Sequence, residues 1–177
     1  MYKGRASIRV IRQYKNSPFI IAYSAKLDNK LSGRRCRELI SYSGFIRMQA
    51  FYYTAEKVKN ITGLTFSTLF IKTCNAEYRL HSIMSEVFRE ENRINLTDTE
   101  GRSHSFPANN IVLFIGNTSS AASLISQSYI HLHGIPQISH ASSRSLLRSR
   151  GVAESEASRL LNDKLRYPTF LRIVPSD

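Results

Sequence analysis

The sequence predicts an α/β fold, a parallel sheet flanked by helices, on two observations. Short apolar runs of buried-strand type alternate with longer segments whose apolar residues recur at helical spacing. Such alternation implies parallel strands joined by helical crossovers. The chain has 177 residues, 42% of them hydrophobic, which suffices for one domain with a core. Its 8 glycines and 5 prolines exclude a collagen-like or linker-like composition.

Met1 to Ser17 is basic and without a clear period, and is read as a disordered tail, which leaves 18–177 as the domain. Phe19 to Tyr23 is a continuous apolar run and gives the first buried strand, and Asn29 to Arg35 is a polar loop. From Gly44 to Asn60 the period becomes helical, with Phe45, Met48, Tyr52, Ala55 and Val58 on one side and Arg47, Lys57 and Lys59 between them. Thr62-Gly63 ends that helix, and Leu64 to Ile71 is β-rich. Asn75 to Glu90 returns to helical spacing through Tyr78, His81 or Ile83, and Val87, with Asn75 as a candidate cap. Glu91 to Asn110 is charged, poor in apolar residues and read as a loop. Ile111 to Ile115 is a buried strand, followed by a polar turn from Gly116 to Ser120. The next helix places Ala122, Ile125, Tyr129 and Leu132 on one face and stops at Gly134. Pro136 to His140 and Leu171 to Val174 are short strands.

The formal charge of +12 raises a nucleic-acid or acidic-membrane reading. Its distribution favours solvated segments instead. Ten basic residues face only Asp28 and Glu38 up to Ile40, and a second basic run holds Arg144, Arg148 and Arg150. Two cysteines, Cys36 and Cys74, fit either a pair of free thiols in a cytosolic chain or one disulfide in an extracellular one, and spacing does not decide between them. No stretch approaches the ~20 apolar residues of a membrane span. The apolar run from Pro18 to Tyr23 is too short for a secretory signal.

Ligands of parallel sheets bind beyond the carboxyl ends of strands. Two serine-rich turns fall there. Gly116 to Ser120 (G-N-T-S-S) follows a strand and opens a helix, where free amides and the helix dipole favour an anion such as a carboxylate. The plainer reading is an ordinary helix cap. Ser139 to Ser143 (S-H-A-S-S) follows the next strand. A carbonyl and a hydroxyl there suit the ammonium of an amino acid whose carboxylate rests on Ser119 and Ser120. Arg47, early in the first helix and away from Met48 and Tyr52, is either solvated or a bidentate hold on a distal carboxylate. His131, His133 and His140 lack the spacing of a metal site, so neither a metal nor a cofactor is expected. No Ser-His-Asp order, carboxylate pair or phosphate-binding glycine loop makes a case for an enzyme.

Ile115 to Ile138 (I-G-N-T-S-S-A-A-S-L-I-S-Q-S-Y-I-H-L-H-G-I-P-Q-I), together with Phe170 to Asp177 (F-L-R-I-V-P-S-D), resembles the extracellular ligand-binding domain of class C G-protein-coupled receptors, metabotropic glutamate receptors in particular. Gly44 to Ala50 (G-F-I-R-M-Q-A) is similar to the first helix of that family, with Arg47 where glutamate receptors place an arginine. The likeness runs from about Cys36 to Asp177. It implies lobe 1 of a periplasmic-binding-protein-like, Venus flytrap fold. It also implies an amino-acid ligand held by Ser119, Ser120, the backbone at Ala141, and Ser143, with Arg47 tipping the choice to glutamate. By the same resemblance Cys36 and Cys74 form a disulfide, and the full receptor forms a homodimer through the lobe, sits at the plasma membrane and meets its G protein through a membrane domain.

Departures accompany the likeness. Ser43 stands where an aromatic residue is often found, Glu91 to Asn110 holds no cysteine to tie two protomers together, and Leu146 to Ser158 (within 146–158) is expected to be an insertion. The chain is expected to be a fragment of the first lobe, without signal peptide, second lobe or membrane helices. The sequons Asn60-Ile-Thr, Asn95-Leu-Thr and Asn117-Thr-Ser suit an extracellular chain, although a glycan at Asn117 would crowd the ligand turn. The rival readings are a basic module for nucleic acid or anionic lipid, with nucleic acid the less favoured partner, and a soluble receptor-derived decoy.

Overall fold

The computed structural model describes residues 8–12, 19–26, 42–73, 77–88, 93–97, 101–117, 120–139, 156–157 and 159–173. A six-stranded sheet organises them. In chain order its strands are β1 (Ile8–Arg12), β2 (Ile20–Lys26), β3 (Ser67–Thr73), β6 (Ile111–Ile115), β7 (Gln137–Ser139) and β8 (Phe170–Arg172). Across the sheet the order is β1-β3-β2-β6-β7-β8. Every pairing is parallel except that of β1 with β3. Among the described residues, the helices α1 (Tyr42–Thr62), α2 (Glu77–Val87) and α3 (Ser120–Ile130) flank this sheet, and residues 156–157 and 159–161 are also helical. A separate antiparallel hairpin is made by β4 (Arg93–Thr97) and β5 (Ser103–Pro107).

The apolar runs are continuous because both sheet faces are covered. On β3, Leu69 and Ile71 point into one core with Leu80, Met84 and Val87 of α2 and Ile130 of α3, while Phe70 points into another with Met48 and Tyr52 of α1. Ile20 and Ala22 of β2 share the first core and Tyr23 the second, as the two-residue period of a strand requires. The result is three layers, with α1 on one side of the sheet and α2 and α3 on the other. A third cluster, Leu161, Tyr167 and Phe170, packs against Leu124 of α3 and supports the β8 edge.

Four expectations change. The segment read as a tail contains β1, whose register with β3 shifts between Ile8 and Ile11; an irregular strand this short shows no sustained alternation in sequence. The segment read as a loop, 91–110, contains the hairpin, which buries Ile94 opposite Phe106 and otherwise offers too few apolar residues to announce itself. On α1 the buried stripe is Met48, Tyr52, Ala55 and then Lys59, not Val58, which is 37% exposed. Those positions follow i, i+4, i+7, i+11. Lys59 is only 6% exposed because its stem packs inward while its ammonium reaches Glu56 at 3.1 Å and lies 5.1 Å from the Phe66 ring centre.

The fourth change concerns α3. Its deepest face is polar, with Ser120, Ser123, Ser126 and Gln127 buried beside Ile130. The apolar residues Ala122, Ile125 and Tyr129 are only partly buried at the edge of the main core, and Leu132 is exposed. Residues 131–133 continue as a 3-10 turn that Gly134 closes.

Candidate functional site

The carboxyl ends of β2, β6 and β7 lie side by side. Tyr23 of β2 pairs with Ile115 of β6, and Ile115 with Ile138 of β7. Ser24, Gly116 and Ser139 therefore share one edge of the sheet, and the Gly116 N–H donates to the Ile138 carbonyl at 2.9 Å. Gly116 has no substitute here. Its φ is +122°, and a Cβ would stand 2.2 Å from the Ser24 carbonyl oxygen. Backbone therefore passes against backbone at the point where the turn leaves the sheet.

Asn117 follows and is 2% exposed. Its side-chain Oδ1 accepts from the Ser24 hydroxyl at 2.7 Å. Its Nδ2 donates to the Ala122 carbonyl at 3.1 Å and to the Ser126 hydroxyl. Its backbone N–H donates to Ser123 Oγ at 3.2 Å, and its carbonyl accepts from the Ser139 hydroxyl at 3.3 Å. Ser123 and Ser139 are themselves 3.1 Å apart through their hydroxyls. These contacts close a ring in which Asn117 N–H, Ser123, Ser139 and the Asn117 carbonyl follow one another. Gln137 adds a brace, donating to the Gly116 carbonyl and accepting from Gln127 Nε2 at 3.0 Å. Ser123 and Ser126 of α3 thus face inward because the turn and the sheet end supply partners to their hydroxyls, which offsets the cost of burying them.

Of the site residues expected from sequence, Ser120 begins α3 and is 1% exposed. Arg47 is exposed on α1, on the opposite layer. Its charge is felt by Tyr23, whose phenol is pushed up by burial and pulled back by the Arg47 guanidinium. Tyr23 directly precedes Ser24, so Arg47 acts near the same sheet end. Ser119, Ala141 and Ser143 lie outside the described residues, as do Cys36, Cys74 and the greater part of the expected insertion 146–158. The sequence reading missed Asn117, Ser123, Ser126 and Ser24. The three-residue spacing of Ser120, Ser123 and Ser126 is the signal that could have found Ser123 and Ser126; Asn117 and Ser24 join through the strand pairing and carry no such signal. Asn117 is also a sequon residue, but both hydrogens of its amide are engaged, whereas Asn60 and Asn95 are exposed.

Among the described residues, no group of three or more His, Cys, Asp or Glu is placed to hold a metal, and no helix is long and apolar enough to cross a membrane. A parallel sheet with helices on both faces is the architecture of a periplasmic-binding-protein-like lobe. The chain belongs to the family described as the receptor family ligand binding region, whose model matches residues 46–177.

Its curated relatives are class C receptors. It is 27% identical over 168 residues to the extracellular calcium-sensing receptor of Homo sapiens, covering 90% of this chain and 14% of that protein. It is 26% identical over 155 residues to metabotropic glutamate receptor 4 of Rattus norvegicus, covering 82% of this chain and 15% of that protein. Against metabotropic glutamate receptor 6 of Oryctolagus cuniculus it is 24% identical over 159 residues, covering 82% of this chain and 17% of that protein. The chain thus spans 14–17% of the length of these relatives.

Proposed function

We propose that this chain forms the amino-acid-recognising face of lobe 1 in an extracellular class C receptor, with a glutamate-like ligand. The observation that supports this most is the joining of Asn117 and α3 to the end of β7 through the Ser139 hydroxyl, which meets the Asn117 carbonyl and Ser123, at the carboxyl edge of the sheet. In this reading Ser119 and Ser120 hold the ligand's α-carboxylate at the start of α3. The backbone at Ala141 and the Ser143 hydroxyl take the ammonium. Arg47 grips a distal carboxylate through its guanidinium fork. The Cys36–Cys74 bridge would fasten the start of α1 to the end of β3.

Signalling follows from closure of a second lobe over the bound ligand, an open–closed equilibrium biased by contacts made only when closed. In this reading the full receptor sits at the plasma membrane as a homodimer through this lobe, with the G protein engaged through its membrane domain. Lobe 1 by itself offers one half of the cleft, so glutamate binds lobe 1 alone weakly, at roughly millimolar.

An NMR titration of the labelled chain tests the reading. Glutamate, but not succinate, should shift resonances in 116–123 and 139–143, and Arg47→Ala should remove the preference for glutamate over alanine. Equal response to succinate, or shifts confined to the basic N-terminal segment, would refute it. Micromolar glutamate affinity in the isolated chain would refute the weak-binding part alone.

A further inference from the structure

We infer that Asn117 is a positioning residue that couples the two turns of the candidate site, so that the start of α3 and the exit of β7 move as one unit. The inference rests on the ligand reading above for its functional meaning, but its geometry stands independently. Every hydrogen-bonding group of Asn117 is committed, and the commitments point in different directions. The side-chain amide holds the first two turns of α3 through Ala122 and Ser126. The side-chain oxygen ties that turn to the end of β2 through Ser24 at 2.7 Å. The backbone ring through Ser123 and Ser139 ties it to the last residue of β7. No residue other than asparagine supplies this set. Aspartate lacks the two donors, serine lacks the reach, and a longer amide does not fit where Asn117 is 2% exposed and its neighbour Gly116 lies against the Ser24 backbone.

The consequence is specific. A ligand whose carboxylate meets Ser119 and Ser120 and whose ammonium meets 141–143 needs both turns at a fixed separation. Where Asn117, Ser24, Ser123, Ser126 and Ser139 are joined in one buried network, that separation is set by hydrogen-bond geometry rather than by apolar packing, which tolerates sliding. Asn117 touches no ligand in this arrangement and acts through the turns on either side of it.

Hydrogen exchange on the full chain tests this, comparing wild type with Asn117→Ala and Asn117→Asp. Asn117→Ala should speed exchange about tenfold or more in both 120–126 and 137–139, with the middle of α1 unchanged. Exchange that rises only in 120–126, or evenly through the chain, would overturn the coupling, since a local cap or a plain core residue behaves so. Asn117→Asp adds a readout that packing alone does not move. Its carboxyl would face the Ala122 carbonyl and the Ser126 hydroxyl, which favours the protonated form and raises its folded pKa. Protection of both segments, corrected for intrinsic exchange, should therefore be greater near pH ~4 than near pH ~7, unlike wild type. A pH-independent Asn117→Asp profile would also overturn the coupling. Added glutamate keeps the two ideas apart. Failure of glutamate to protect either turn in wild type sinks the ligand reading and leaves the exchange result to judge Asn117.

Discussion

At Tyr23 and Arg47 two layers of the fold meet electrically. Tyr23 packs among Phe51 and Phe70, with ring centres 5.1 and 5.4 Å away. Burial holds its phenol in the neutral form above the usual 10.0, and Arg47 partly offsets this. The folded chain therefore binds the phenolic proton more tightly than the unfolded chain does. The stability this contributes is complete below a pH of about 10 and is lost as the pH climbs through the higher folded value. Tyr23→Phe should flatten that alkaline loss in urea titrations followed between neutral and strongly alkaline pH. Arg47→Ala should move the ultraviolet titration of Tyr23 further up. An unchanged Tyr23 titration in Arg47→Ala would separate Arg47 from the sheet end and, with it, from the proposed ligand.

The helices show which of two periodicities a sequence makes visible. On α2 the expected core stripe runs through Tyr78, His81 or Ile83, and Val87; among the described side chains, Val87 is buried, with Leu80, Met84 and Phe88, just past the helix end, while His81 is not. His81 is exposed and meets the Tyr129 hydroxyl at 3.1 Å, so it joins α2 to α3 at the surface. Met84→Ala should therefore cost about 2–5 kcal/mol, and His81→Ala under about 1 kcal/mol, in chemical denaturation. Comparable losses from the two would restore His81 to the core. On α3 the apolar residues marked the flank and the serines marked the buried face. Hydropathy alone could not reveal this, because the serines' partners, Asn117 and Ser139, belong to other elements. The apolar strand runs were legible because both faces of a parallel sheet are dry. The two turns were legible as polar segments after strands, but the network joining them was not, since it depends on the β6–β7 pairing rather than on local spacing.

For the molecule as a whole, the basic N-terminal region is part of the architecture. The continuous apolar run marked β2 in the sequence, but only the sheet order shows that β2 lies between β3 and β6, next to the turn that carries Asn117. β2 pairs with β3 along its full length, Ile20 with Ser67 through to Lys26 with Thr73. β1 covers the other side of β3 and forms the sheet edge. Deleting the basic region through Arg35 to ask whether charge alone binds a polyanion would thus remove a central strand and unfold what it sets out to test. Charge-neutral substitutions of exposed lysines and arginines are the sound comparison. The architecture predicts two outcomes for truncation. Removal of residues 1–12 exposes one side of β3 and should lower the thermal midpoint while keeping a single cooperative transition, because β2, β6 and both covering layers persist. Removal through Lys26 takes Ile20, Ala22 and Tyr23 out of both cores at once and parts β3 from β6. That chain should show no cooperative melting by calorimetry. A sharp transition in the longer truncation would mean that β3 and β6 close against each other without β2. The Ser24 anchor of the site would then be dispensable to the fold.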